Sequence, residues 1–349
     1  MIRVLLVDDS ASIRSILRKT ITTQKDMMVC GTAADGQQAL HAYKELKPDI
    51  VVMDFEMPKQ NGVEALKQII SYDPNARVLM CSSFTHAGAD VTLDALNEGA
   101  YDYVLKPSAE LIGTLSGRFH ESLVHKIRVG AAKRISTIVQ GWVTASTENI
   151  ILRKIPPAFH KADIIAIGSS TGGVQAILSL LGNFGSSKAG VPIVITQHMP
   201  KKFAQIFASH IEQKTHFKAV EAEEGMVLEK DCVYIAPCES HMEIVRRKTG
   251  QLHVHLSDAP PESYFKPSIN PMFRSLAYMD ANTLGIILTG MGNDGLNGAH
   301  VLVDEGHLLV AQDEASSVVW GMPGIVAVEG LCHAVLPLDE ISGFVKRYL

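Results

Sequence analysis

Ser170, His198 and Asp294 are of the types that build an acyl-transfer centre in this 349-residue chain. A serine hydroxyl becomes a nucleophile when a histidine takes its proton and an acid fixes the histidine tautomer. Ser170 lies in "DIIAIGSSTGGVQAIL", where small residues permit a tight turn from a strand-like run into a helical one. His198 closes "VPIVITQHMP", and Asp294 follows the apolar run of "LGIILTGMGNDG". The three are separated by 28 and 96 positions, so only a fold that gathers strand ends at one edge brings them together. The order Ser, His, Asp and the sequence GSSTGG both depart from the G-x-S-x-G elbow of α/β-hydrolases. The same loop lacks the G-x-G-x-x-G pattern and following acid of dinucleotide-binding folds.

A second set of residues suggests phosphoryl chemistry. Asp8 and Asp9 end the run "IRVLLVDD", Asp54 ends "DIVVMDF", and Lys106 with Pro107 ends "YDYVLKP". Carboxylates converging on one sheet edge repel one another, and a hard divalent ion such as Mg²⁺ offsets that repulsion. Asp54 could then accept a phosphoryl group while Mg²⁺ and Lys106 neutralise its charge, with a hydroxyl from Ser82 at the end of "RVLMCSS".

The elements that must position these residues are legible as alternating patterns. Five apolar runs alternate with helical patterns through the first third of the chain, which predicts a five-stranded parallel (βα)5 sheet covered on both faces. After residue 160 the alternation resumes as a doubly wound, mostly parallel α/β domain. The expected boundaries are residues 1–127, a linker over 128–160, and residues 161–349. The linker loses periodicity and ends in Pro156-Pro157. Its apolar residues Ile135, Ile138, Val139, Trp142 and Ile150 to Leu152 predict that part of it packs between the domains.

Composition narrows the functions. With 46% hydrophobic and 20% charged residues, the chain reads as a folded globular protein. No apolar stretch approaches the ~18–20 residues of a membrane span, and Met1-Ile2-Arg3-Val4 runs directly into a strand, so neither insertion nor secretion is expected. Five scattered cysteines read as reduced thiols in a cytoplasmic protein. Residues 1–130 carry 14 basic and 16 acidic side chains, 131–160 carry 4 and 1, and 161–349 carry 14 and 20. The net −6 of the last segment opposes nucleic-acid binding, as does the absence of a compact helix-turn-helix pattern. His253 and His255 would share one face of a strand, with no third metal ligand suggested.

Through "VDDS", "DIVVMDFEMPKQNG", "CSS" and "YDYVLKP", residues 1 to about 127 resemble a response-regulator receiver domain. The motifs "IGSSTGG", "QHMP" and "LTGMGNDG" resemble the catalytic domain of chemotaxis protein-glutamate methylesterases, a family that carries an N-terminal receiver. The resemblance implies Asp54 as phosphoacceptor, Asp8, Asp9 and Asp54 as Mg²⁺ ligands, and Ser82, Tyr103 and Lys106 as switch residues. It also implies hydrolysis of glutamate 5-O-methyl esters on methyl-accepting chemoreceptors, deamidation of certain receptor glutamines, and phosphorylation by a chemotaxis-type histidine kinase. Ser170 would be the nucleophile, His198 the general base and then acid, and Asp294 the orienting acid. Thr171 and Met291 would lie beside the oxyanion, and no metal or other cofactor is expected at the esterase site. The segment "FKPSINPMFRS" resembles the family's Pro-Ser-x-Asp segment near the substrate cleft, but Asn270 stands where an acid is usual and Pro271 follows it. An effect on receptor specificity is the expectation there. The competing expectation is a phospho-dependent scaffold, in which altering Ser170 changes nothing, or action on a different protein substrate.

Overall fold

The computed structural model describes residues 1–82, 86–106, 116–131, 150–201, 203–262 and 264–349, and the chain divides into two compact units, Met1–Ile138 and Val139–Leu349. The first runs β1 (Ile2–Val7), α1 (Ala11–Thr22), β2 (Met27–Ala33), α2 (Gly36–Leu46), β3 (Ile50–Asp54), α3 (Gly62–Tyr72), β4 (Val78–Ser82), α4 (His86–Asn97), β5 (Asp102–Leu105) and α5 (Ser116–Ala131). Its five strands pair in parallel in the order β2-β1-β3-β4-β5. Val4–Val7 and Ile50–Met53 are fully buried, as expected of strands covered on both faces. Helix starts are fixed locally: Ser10 caps α1, Asp35 caps α2, and Asn61 with Glu64 forms a reciprocal capping box on α3. Helix α5 continues to Ala131, past the residue 127 at which the sequence suggested the linker begins.

The second unit runs β6 (Ile164–Ser169), α6 (Gly173–Gly182), β7 (Ile193–Gln197), α7 (Phe203–Lys214), β8 (Lys218–Glu221), β9 (Cys232–Ile235), β10 (His241–Arg246), β11 (Leu252–Ser257), α8 (Ile269–Ala277), β12 (Thr283–Ile287), α9 (Leu296–Asp304), β13 (Leu308–Gln312), α10 (Met322–Val328), β14 (Ala334–Leu336) and α11 (Leu338–Lys346). Seven strands form a wholly parallel sheet in the order β14-β13-β12-β6-β7-β9-β8, and β10 pairs antiparallel with β11 apart from it. Every residue of β6, β7, β12 and β13 is buried, which is why these strands read as continuous apolar runs. From β6 the chain winds outward through β7 to β9 and β8, then returns to β12 on the other side of β6. The reversal lies between β6 and β12, the place where doubly wound sheets open a crevice at their carboxyl ends. Part of the expected linker belongs to this unit: Ile150 packs on its core, the Arg153 amide donates to Cys332 O at 2.8 Å, and Phe159 meets Tyr348 edge-on.

Candidate functional site

In the first unit, the carboxyl ends of β1, β3 and β5 bring Asp8, Asp9, Asp54 and Lys106 together. Carboxylate oxygens of the three acids lie within 4.8 Å of one another, with Asp8 and Asp54 buried and Asp9 exposed. The Lys106 ammonium sits 2.8 Å from Asp8 Oδ2 and 2.6 Å from Asp54 Oδ2. Burial pushes the Asp54 carboxyl above its ordinary range, against the pull of Lys106. Burial alone would lower Lys106, but its bonds to Asp54 and Asp8 outweigh that and hold its pKa above the ordinary value. Three hard oxygen donors against one cation leave negative charge uncompensated, and Asp8 Oδ2, although buried, accepts no hydrogen bond beyond its ion pair. This donor set fits Mg²⁺. Gly62 brings α3 onto the end of β3, because a Cβ there would fall 1.9 Å from Asp54 O. Tyr103 is buried with the Lys126 ammonium 5.3 Å from its ring centre. Ser82 closes β4, and its side chain lies outside the described residues.

In the second unit, Ser169 at the end of β6 pairs with Gln197 at the end of β7, so Ser170 and His198 are the next residues in register. The His198 amide donates to Ser169 O at 3.2 Å, and the Ser170 amide donates to Thr289 O, beyond β12, at 3.1 Å. Asp294 follows in the loop after β12, and its Oδ2 lies 2.7 Å from His198 Nε2. The register, the topology and the loop after β12 thus gather the three residues at one sheet edge.

Asp294 is fully buried and accepts four hydrogen bonds. Oδ1 takes Ser268 Oγ at 2.6 Å and Asn270 Nδ2 at 3.2 Å, and Oδ2 takes the Ile269 amide at 2.9 Å besides His198. Burial alone would raise its pKa, but His198, Ser268 and Ile269 together hold the carboxyl below its ordinary range. The acid therefore stays ionised and fixes the Nε2–H tautomer of His198. His198 Nδ1 is buried and makes no hydrogen bond among the described residues, so it is the ring nitrogen left open to take a proton. Phe265 lies flat against the imidazole, its ring centre 3.8 Å away and 8° from parallel. Glu262, which exchanges backbone hydrogen bonds with Phe265, is ion-paired with Arg274 of α8.

The nucleophile loop is shaped by close approach. Gly172 has φ +77°, and a Cβ on Gly290 would fall 3.0 Å from Ser170 Cβ and 2.5 Å from Met322 Sδ. Among the described residues the amides of Thr171 and Met291 donate no hydrogen bond.

Residues 165–345 match the family described as CheB methylesterase, and residues 4–114 match the response regulator receiver domain. A protein-glutamate methylesterase/protein-glutamine glutaminase of Azospirillum brasilense is 38% identical over 368 residues, covering 99% of this chain and 92% of the relative. The chain belongs to the CheB methylesterase family. A second relative, protein-glutamate methylesterase/protein-glutamine glutaminase 1 of Paramagnetospirillum magneticum, is 39% identical over 99% of this chain and 96% of its own. The crystal structure of the Thermotoga maritima CheB methylesterase catalytic domain is 30% identical, with TM-score 0.52, covering 54% of this chain and all of that one.

Within this CheB methylesterase fold, the expectation for Asn270 and Pro271 changes. Both are buried in the first turn of α8, where Asn270 spans from Asp294 Oδ1 to the Gly298 amide, which donates to its Oδ1 at 2.8 Å. Asn270 thus supports Asp294 from the start of α8. Pro271 is tolerated because the first turn needs no amide donor there. His253 and His255 gather no third ligand; the one His, Cys, Asp or Glu cluster of metal-binding geometry among the described residues is Asp8, Asp9 and Asp54. Spacing does not single out Gln197, Phe265 or Ser268 as site residues. A polar residue closing an otherwise apolar strand just before His198 was the one signal for Gln197.

Proposed function

We propose that this chain is a receptor protein-glutamate methylesterase and protein-glutamine glutaminase whose activity is set by phosphorylation of Asp54. The observation that carries the esterase assignment is the His198 and Asp294 pair, with the acid saturated by four hydrogen bonds and Nδ1 left open. Ser170 Oγ attacks the γ-carbonyl carbon of a methylated glutamate and passes its proton to His198 Nδ1. The Thr171 and Met291 amides hold the resulting oxyanion. Collapse of the tetrahedral centre breaks the C–O bond, and His198 protonates the leaving oxygen to release methanol. A water deprotonated by His198 then attacks the acyl-serine, giving glutamate and restoring Ser170. With a glutamine substrate, ammonia leaves in place of methanol.

Asp8, Asp9 and Asp54 would hold Mg²⁺, which when bound offsets the charge of a phosphoryl group. Asp54 accepts that group from a histidine kinase or a small phosphodonor, and Lys106 shifts its ion pairs from the free carboxylates toward the phosphoryl oxygens. The substrates are chemoreceptor helices. Among the described residues no helix is long and apolar enough to cross a membrane.

The test is methanol release from methylated chemoreceptor membranes by the intact chain, with Mg²⁺ and with or without phosphodonor, beside Ser170→Ala. Release that the phosphodonor stimulates and that falls on the order of 10⁶-fold in Ser170→Ala is expected. Equal release by Ser170→Ala would overturn the assignment, and equal rates with and without phosphodonor would overturn the gating.

A further inference from the structure

We infer that Gln197 is a positioning residue that locks the nucleophile loop to the base loop, an inference that rests on the serine esterase reading above. Gln197 is the last residue of β7 and is 3% exposed. Its Nε2 donates to Ser170 O at 2.9 Å and to His198 O at 3.0 Å, so one carboxamide grips the backbone of both reacting residues. These two acceptors fix which end of the amide is nitrogen, and Oε1 then receives Ser169 Oγ at 2.5 Å.

Neighbouring residues are shaped around this amide. A Cβ on Gly173 would fall 2.0 Å from Gln197 Oε1 and 2.7 Å from Ser169 Oγ, so the second glycine of the loop makes room for the carboxamide. The Gly173 amide also donates to Ser170 O at 2.8 Å, giving that carbonyl two donors. Strand pairing ends at Ser169 and Gln197, and beyond it the ladder no longer fixes the spacing of Ser170 from His198. The two bonds from Nε2 continue that spacing one residue further, into the catalytic pair. Gln197 touches no reacting atom. Its effect is to keep Oγ within reach of Nδ1, where displacement by about 1 Å costs on the order of 10²-fold in rate.

The experiment uses the full chain with Mg²⁺ and phosphodonor, and reads methanol release from methylated receptor membranes together with the rate at which a fluorophosphonate probe labels Ser170. The probe reports activation of the nucleophile without any receptor. Gln197→Met, similar in size but without donors, is expected to lower both kcat and labelling by about 10- to 100-fold with KM unchanged within about twofold. Ser169→Ala, which frees the roll of the amide but leaves its donors, is expected to lower both by about threefold to tenfold. Wild-type rates in Gln197→Met, or a raised KM with kcat unchanged, would overturn the inference. If Gln197→Met does not fold, Ser169→Ala decides, and wild-type values for it overturn the inference too. Failure of the wild-type chain to release methanol, or release by Ser170→Ala, would instead count against the esterase reading itself.

Discussion

Replacing Asn270 by aspartate tests the account of Asp294 with a change that barely alters shape. Asn270→Asp exchanges the Nδ2 group that donates to Asp294 Oδ1 at 3.2 Å for an oxygen, and keeps Oδ1 to accept the Gly298 amide. Asn270 is 1% exposed and Asp294 is fully buried, so water does not separate the two groups. At 3.2 Å and an effective dielectric constant of about 20, two ionised carboxylates repel by about 5 kcal/mol. Repulsion of that sign raises the second ionisation of the pair above the ordinary carboxylate range. Asp294, held low by its other donors, ionises first, and the introduced acid keeps its proton into the neutral range.

While that proton is present, the introduced acid donates to Asp294 as Asn270 does. Once it leaves, Asp294 loses a donor and faces a like charge, and the carboxylate that fixes His198 is pushed aside. Methanol release by Asn270→Asp should therefore match wild type within a few-fold while the introduced acid is protonated and fall as pH rises through that raised ionisation, a limb the wild-type amide cannot produce. Stability carries the same sign. An acid whose folded pKa is raised holds its proton more tightly in the folded state, so the variant loses stability relative to wild type as pH rises from the ordinary carboxylate range through the raised folded value. The deficit approaches about 5 kcal/mol at the top of that window. Rate profiles and thermal melts from pH 5.5 to 9 measure both effects. Superimposable wild-type and variant curves between pH 6 and 9 would refute the reasoning, since the contact would then not govern Asp294.

Phe265→Ala removes the ring stacked on His198, a contact of about 0.5–1.5 kcal/mol, and should lower kcat by about twofold to tenfold with phosphoryl uptake intact; an unchanged kcat would show that the stack does not orient the base. Asp54→Asn should abolish incorporation of labelled phosphate and the phosphodonor-stimulated increment while leaving unstimulated methanol release in place, and Mg²⁺ chelation should reproduce that pattern in the wild-type chain. Gly290→Ala drives a Cβ to 2.5 Å from Met322 Sδ and 3.0 Å from the Ser170 amide nitrogen. A loss on the order of 10²-fold in methanol release is expected from it, with Asp54 still phosphorylated.

The fold could be read from the sequence because its decisive strands are buried on both faces, so each is a continuous apolar run whose end is marked by a change of residue type. Asp8, Asp54 and Lys106 stand out against such runs, as do His198 and the glycines around Asp294. What supports them leaves no comparable mark. Ser268, Ile269 and Asn270 reach Asp294 across 24 to 26 positions, and three of the four bonds to that acid come from the start of α8, in the segment whose sequence suggests a place near the substrate cleft. Periodicity reports which face of an element is buried. It does not report which polar atom a buried asparagine will meet, since that depends on how α8 lies against the loop after β12.

The hydrogen-bond accounting of the site shows why these supporting residues matter to the chemistry. Both oxygens of Asp294 are filled, which leaves the acid one way to interact with His198, through Nε2–H. With Nε2 committed and the ring held flat by Phe265, the unsatisfied Nδ1 is the single open position on the imidazole. A buried polar atom without a partner costs roughly 1–3 kcal/mol, so the resting site carries a bias toward whatever donor can reach Nδ1. In the proposed mechanism that donor is the Ser170 hydroxyl, and the carboxamide of Gln197 bonds the backbone carbonyls of both residues. The order of dependence runs from α8 to Asp294, then to His198, then to Ser170. A substitution in α8 should therefore appear first in the pH dependence of kcat, before any change in substrate binding.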